Sequence, residues 1–172
     1  LDKYKSKENW KIKYLDTGLN TMTGGRVKRT LNLLKNENNF CLSYGDGLSD
    51  INIKNLIKFH KKNNKMATLT AVKYKNPKGV LSISSKSEIR LIKEKPTEYI
   101  NGGFFVLSKK IFKYLKNDRS IFEKDCLPKL SKTKQLMAYK HKGFWACMDT
   151  IREKKELNKI WRSKEKAWKI WI

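Results

Sequence analysis

The stretch Phe40-Cys41-Leu42-Ser43-Tyr44-Gly45-Asp46-Gly47 is an apolar run that ends in one carboxylate held between two glycines. A short apolar run closed by glycine reads as a buried strand. In open α/β sheets ligands gather beyond the carboxyl ends of strands, and glycine there lets a backbone and a bulky phosphate come close. Asp46 is therefore a candidate ligand for a metal. A Gly-Asp-Gly turn would account for the same residues by turn chemistry alone.

Working outward, the pattern alternates strands with helices. Trp10 to Leu15 alternates like a strand and ends at the loop Asp16-Thr17-Gly18. Thr21-Met22-Thr23-Gly24-Gly25-Arg26 then opens a helix carrying Val27, Leu31 and Leu34. Free backbone N–H groups at such a Gly-Gly-Arg start make a phosphate cradle one reading, and an ordinary glycine turn the other. After Asp46, Asp50 or Asn52 can cap a helix bearing Ile53, Leu56, Ile57 and His60, with His60 at the rim of the apolar stripe and no catalytic role. Met66 to Tyr74 is a second buried strand. Short runs at Val80 to Ser84 and Ile89 to Lys93 follow, the latter delivering Glu94-Lys95-Pro96, and Asn101-Gly102-Gly103 opens the core strand Phe104 to Leu107. Helical stretches are expected near Lys109 to Leu115 and Ile121 to Leu130, the second interrupted by Pro128. Leu136 to Tyr139 and Phe144 to Met148 read as a hairpin ending at Asp149. An amphipathic helix then runs from Thr150 to about Arg162, with a tail containing Trp168 and Trp171. This order predicts an α/β fold with a mixed, mostly parallel sheet and helices on both faces. We read residues 1–172 as a single domain portion, 1–149 as core and 150–172 as C-terminal helix and tail.

The chain is long enough for one domain with a real core. Its mean hydropathy of -0.70 is low, yet the apolar residues cluster into segments, which argues against disorder. A formal charge of +24 would attract nucleotides, nucleic acid or anionic surfaces. Only six of the forty basic residues are arginine, the usual reader of bases, so the lysines read mainly as solvated faces. A basic nucleic-acid-binding module, with Trp161, Trp168 and Trp171 as stacking surfaces, is the competing reading, though no recognition motif supports it. Cys41, Cys126 and Cys147 are far apart and lie in apolar contexts, so a disulfide scaffold or zinc site is not expected; a reducing, cytoplasmic setting is. No run approaches the roughly 18 apolar residues of a membrane span, and no signal peptide is expected.

Two acids stand out because each closes an apolar strand: Asp46, and Asp149 after Phe144 to Met148. A hard divalent cation that bridges phosphates takes one or two carboxylates, with water and substrate oxygens completing its shell. Asp149 could equally be the N-cap of the helix that follows. Lys95 is a candidate counter-charge, restrained by Pro96, and with Asn101-Gly102-Gly103 nearby it is a candidate sugar or phosphate contact.

Taken together, D-T-G-L-N-T-M-T-G-G-R-V-K-R (16 to 29), Y-G-D-G-L-S-D-I-N-I (44 to 53), A-T-L-T-A-V (67 to 72), E-K-P (94 to 96), I-N-G-G-F-F-V-L (100 to 107), G-F-W (143 to 145) and M-D-T-I-R-E-K (148 to 154) resemble the sugar-1-phosphate nucleotidylyltransferases, most closely those that use CTP and glucose 1-phosphate. The resemblance implies synthesis of CDP-glucose for surface polysaccharide, with Mg²⁺ held by Asp46 and Asp149. It also implies nucleotide contacts from Thr21, Arg26 and Gly45, and sugar-phosphate contacts from Lys95, Asn101 and Gly102. Arg26 and Lys95 would offset charge during transfer, and a homo-oligomer is expected of the whole enzyme. The family's G-G-x-G-T-R-L loop and the K-P pair after it are not in this sequence. The chain is therefore expected to match the C-terminal two-thirds of such an enzyme, as a fragment or half of a split protein, with a non-catalytic remnant that only binds sugar nucleotides or a partner subunit as the alternative. Little turnover alone and a tendency to associate through an exposed sheet edge are expected with it.

Overall fold

The computed structural model describes residues 11–75, 78–163 and 167–170. Its centre is a sheet in the order β1-β6-β3-β7, formed by Asn39–Ser43, Thr97–Ser108, Ala67–Lys75 and Leu136–His141. β6 is antiparallel to both β1 and β3, and β7 is parallel to β3, so three strands run one way and β6 the other.

The period-2 rule separates two cores. Phe105 and Leu107 of β6 join Ala67, Ile111, Phe122 and Leu130 on one face, whereas Val106 points to the other and packs with Ile51 and Leu56. Helix α1 (Thr23–Arg29) and helix α3 (Leu127–Lys132) belong to the first face, through Val27, Leu127 and Leu130. Helix α2 (Ile53–Asn63) belongs to the second. It starts at Asn52, whose side chain accepts from Asn55 N, and stops at Asn64, which adopts a left-handed cap with φ 48°. Leu56 and His60, one turn apart, are its buried residues. His60 lies within the core, not at its rim, because Nδ1 sits 2.9 Å from Thr68 Oγ1 and Nε2 3.3 Å from Asn39 Oδ1.

Several local expectations change. Residues 11–15 form no strand, and Ile12 and Tyr14 are exposed; Trp10 and Trp171 lie outside the described residues. The expected hairpin at 136–148 is two separate pairings: β7 extends the main sheet, while β8 (Trp145–Cys147) pairs with β2 (Gly47–Ser49). Period 2 marks a strand, but it does not name its partner. Lys109–Tyr114 is a 3₁₀ turn. Phe122–Cys126 is a π-turn that leads into α3, where Pro128 occupies the first turn and so forfeits no helical hydrogen bond. Strands β4 (Val80–Ile83) and β5 (Ile89–Lys93) form a separate two-stranded ribbon. Helix α4 (Ile151–Arg162) closes the fold, and beyond it Trp168 is buried, stacked on Trp161 and tilted against Phe144. No helix among the described residues is long and apolar enough to cross a membrane.

Candidate functional site

The two strand-ending aspartates meet through the β2–β8 pairing. Gly47 is opposite Cys147, and Met148 N donates to Asp46 O at 3.0 Å, which carries the pairing one residue past the strand. Asp46 and Asp149 therefore emerge at the same end of one ribbon, and both line a cavity of about 330 Å³. The other end of the ribbon is tied down. His141 Nε2 lies 2.8 Å from Asp50 Oδ1, and the Ser49 hydroxyl donates to Phe144 O at 2.8 Å. Asp50 thus serves this tie, leaving the capping of α2 to Asn52.

Asp149 is not a helix cap. Thr150 caps α4 by accepting from Glu153 N, and Glu153 answers by accepting from Thr150 N, in a capping box. Glu153 Oε2 also accepts from Asp149 N at 2.9 Å, which fixes the backbone of Asp149. These hydrogen bonds, the Thr150 hydroxyl first, hold the Glu153 carboxyl below the usual range.

The sugar-side residues arrive through a bulge. Between Leu69 and Ala71 the β3–β6 register jumps from Phe105 to Asn101, and Gly103 takes φ 78° inside that irregularity. A side chain at Gly103 would collide with the Tyr44 ring, a Cβ lying 2.8 Å from Cδ2, so glycine is required for both the turn and the close approach. The bulge aims Asn101 into the cavity. Asn101 Oδ1 accepts from Gly103 N at 3.0 Å, and Nδ2 donates to the Tyr44 hydroxyl at 3.2 Å. Gly102 is pinned from the other side by Trp145, whose Nε1 donates to Gly102 O at 2.8 Å. Gly45, which has nothing within 4 Å of a built Cβ, borders an adjoining hollow with Thr23, Asp46 and Glu123.

Of the residues expected from sequence, Asp46, Asp149, Asn101, Gly102 and Gly45 are thus brought together. Thr21, Arg26 and Lys95 are not in the walls of these two cavities. Arg26 is spent on its own loop, donating to Thr17 Oγ1 at 2.5 Å and to Leu19 O at 3.2 Å. Thr21 is buried, and Lys95 is exposed in a left-handed conformation with φ 43°. The Gly-Gly step serves close packing. A Cβ on Gly24 would lie 2.8 Å from Ser120 O, and one on Gly25 2.6 Å from Asp118 Cα, so the glycines let α1 press on the 118–120 backbone. Two of the N–H groups at this end of α1 are engaged with that backbone: Met22 N donates to Asp118 O and Gly25 N to Ser120 O. Sequence reasoning missed Thr23, Tyr44, Glu123, Trp145 and Glu153. Only Glu153 carried a signal, the T-I-R-E spacing of a capping box.

The donor set suits a hard cation. Cys147, Asp149 and Glu153 place ligand atoms within 4.8 Å of one another. Burial first, and then the Asp149 and Glu153 carboxylates, push the Cys147 thiol up to about 11, which leaves it a neutral thiol near pH 7. Glu153 is occupied by the cap. Asp46 and Asp149 add their carboxylates to the same wall, hard oxygen donors of the kind taken by an ion whose remaining ligands are water and substrate oxygens.

Known proteins of one family resemble the chain. Residues 2–162 match the family model for nucleotidyl transferases. The chain is similar to glucose-1-phosphate cytidylyltransferase of Salmonella typhi, 40% identical over 171 residues, covering 98% of this chain and 66% of that protein. It is also similar to mannose-1-phosphate guanyltransferase of Yarrowia lipolytica, 30% identical over 131 residues and covering 72% of this chain and 36% of that one. The chain thus spans just under two thirds of the length of its cytidylyltransferase relative. Among solved structures, HddC from Yersinia pseudotuberculosis superposes with a TM-score of 0.60 at 25% identity, over 79% of this chain and 60% of that one. With an acid pair at a shared ribbon end, an Asn-Gly bulge facing it and a family match across nearly its whole length, the chain belongs to the nucleotidyl transferase family.

Proposed function

We propose that this chain carries the metal and sugar-phosphate side of a glucose-1-phosphate cytidylyltransferase. In the reaction a phosphate oxygen of glucose 1-phosphate attacks the α-phosphorus of CTP, a P–O bond forms as the P–O bond to pyrophosphate breaks, and CDP-glucose results. The observation that carries this reading is the convergence of Asp46, Asp149, Asn101 and Gly102 on one cavity. Asp46 and Asp149 would hold Mg²⁺, which when bound neutralises charge on the phosphates. Asn101 and Gly102 would seat the sugar phosphate, and Gly45, with open space at its Cα, would leave room for the nucleotide. No covalent enzyme intermediate is needed, because positioning and charge neutralisation suffice for phosphoryl transfer.

We therefore expect binding of CDP-glucose that strengthens with Mg²⁺. A reducing, cytoplasmic setting follows for a chain whose three cysteines are free. Calorimetric titration with CDP-glucose, with and without Mg²⁺, tests the reading. Asp46→Asn and Asp149→Asn should each abolish the Mg²⁺-dependent gain. A Mg²⁺ effect unchanged in both variants would overturn the metal assignment.

A further inference from the structure

A line of hydrogen bonds crosses the floor of the site and passes through a residue that no motif flagged. Glu123, on the π-turn between α1's partner loop and α3, uses both carboxylate oxygens. Oε2 accepts from the Thr23 hydroxyl at 2.8 Å, and Oε1 accepts from the Tyr44 hydroxyl at 2.6 Å. Thr23 Oγ1 in turn accepts from Phe122 N at 3.0 Å, which holds the first turn of α1 against the π-turn. At the other end, the Tyr44 oxygen accepts from Asn101 Nδ2. Because the Tyr44 hydroxyl donates to Glu123, the lone pair that it turns toward the bulge is left to accept from Asn101. That choice, together with the Gly103 N–H on Oδ1, fixes which way the Asn101 carboxamide faces.

We propose that Glu123 is a positioning residue that locks Asn101, through Tyr44, to Thr23 of the M-T-G-G-R segment, so that the sugar-side bulge and the α1 loop form one rigid unit. The chain Thr23–Glu123–Tyr44–Asn101 joins residues far apart in sequence, and Thr23, Glu123, Tyr44 and Asn101 all border the same hollow beside Asp46. The ligand consequence rests on the proposed function: the bonds that Glu123 organises serve the sugar moiety of a sugar nucleotide and leave the nucleotide moiety alone.

The experiment compares the full chain with Glu123→Gln, Tyr44→Phe and the double variant. Gln keeps the shape but offers one acceptor oxygen where the carboxylate offers two. Titration with CDP-glucose and, separately, with CMP should show about a tenfold loss for CDP-glucose in each single variant and less than about twofold for CMP, the size expected for one hydrogen bond to a charged or buried group. The double variant should be no worse than the singles, since one pathway cannot be cut twice. Nuclear magnetic resonance of the Asn101 side-chain amide in the ligand-free protein supplies a second readout. In the wild type it should report one carboxamide orientation with slow hydrogen exchange, and in Glu123→Gln averaged orientation with faster exchange, while overall melting changes little. An Asn101 signal unchanged by Glu123→Gln overturns the proposal, as do additive losses or equal losses for CDP-glucose and CMP. Should the wild type bind no CDP-glucose at all, the functional reading fails, and the Asn101 amide still decides whether Glu123 positions it.

Discussion

The two ribbons of this molecule, β2–β8 and β4–β5, are built from similarly short antiparallel strands and have opposite surroundings. β2–β8 is tied at one end by Ser49, Asp50 and His141 and at the other by the capping box around Glu153, and its side chains are half-buried. In β4–β5, Leu81, Ile83, Ile89 and Ile92 share one face and are each at least half exposed, and every residue of both strands is exposed. A two-stranded ribbon gains little stability from its own ladder, so what it packs against decides how well it can hold a side chain in place. The acids predicted from sequence sit on the anchored ribbon and converge. Lys95, predicted with equal plainness, sits at the root of the unanchored one and stays apart.

The sharpest way to break the anchored region is to separate α1 from the loop behind it. Gly25→Ala gives the helix a better former, worth about 0.5–1 kcal/mol. It also places a Cβ 2.6 Å from Asp118 Cα and from Asp118 O, where backbone, not a flexible side chain, must move. Overpacking of that kind costs about 1–3 kcal/mol, so the strain wins and the variant should unfold at clearly lower denaturant concentration. Midpoints unchanged or raised would show that the 118–120 loop yields easily, and would undo the contrast between a clamped half and a free half.

How much of this was legible in the sequence follows from the same contrast. Ala67–Val72 and Phe104–Leu107 announced the sheet because both faces of those stretches are covered, which forces near-continuous apolar runs, whereas Phe40–Tyr44 covers only the face of Phe40, Leu42 and Tyr44 and leaves Cys41 and Ser43 exposed. Asp46, Asn101 and Asp149 were readable because they interrupt such runs at their ends. Pairing was not readable. The segments at 136–141 and 145–147 look like a hairpin, and nothing local in them says that the first will lie along β3 and the second along β2. Gly24 and Gly25 misled for a related reason: a glycine needed for close packing and one needed to cradle an anion are the same residue, and only the position of Ser120 and Asp118 tells them apart. Glu123 was invisible because an acid in I-F-E-K-D belongs to no recognisable pattern, and its meaning lies in two hydroxyls distant in sequence.

A milder test concerns His60, buried on the α2 face. Burial lowers its pKa below the ordinary value, so between that ordinary value, near pH 6.5, and the lower folded value the unfolded chain binds a proton that the folded chain refuses. Stability is therefore full above this window and declines as pH falls through it, by at most about 1.4 kcal/mol per pH unit from this one group. His60→Gln, which can still reach the Thr68 hydroxyl, should flatten the slope of stability against pH from about 6.5 downward while leaving the melting temperature at pH 8 nearly unchanged. An identical slope in both proteins would mean that the imidazole is not sheltered from the proton, and that the second core is less closed than the first.

The smallest effect belongs to the unanchored ribbon, and it is the one that separates motif from geometry. Glu94-Lys95-Pro96 matches the pattern of a sugar-phosphate contact, yet Lys95 lies in an exposed turn with a left-handed backbone, outside both cavities that hold Asp46. Lys95→Ala therefore removes no packing and should shift stability by no more than about 0.5 kcal/mol. Any change in CDP-glucose affinity should be only the weak, salt-screened loss of one solvated charge, shrinking further between low and physiological ionic strength. A loss of tenfold or more that persists at 0.15 M salt would mean direct, desolvated contact with phosphate, about 1.4 kcal/mol by the usual conversion. The ribbon root would then have to fold in over the cavity when ligand binds, and the division drawn between the two ribbons would describe only the ligand-free protein.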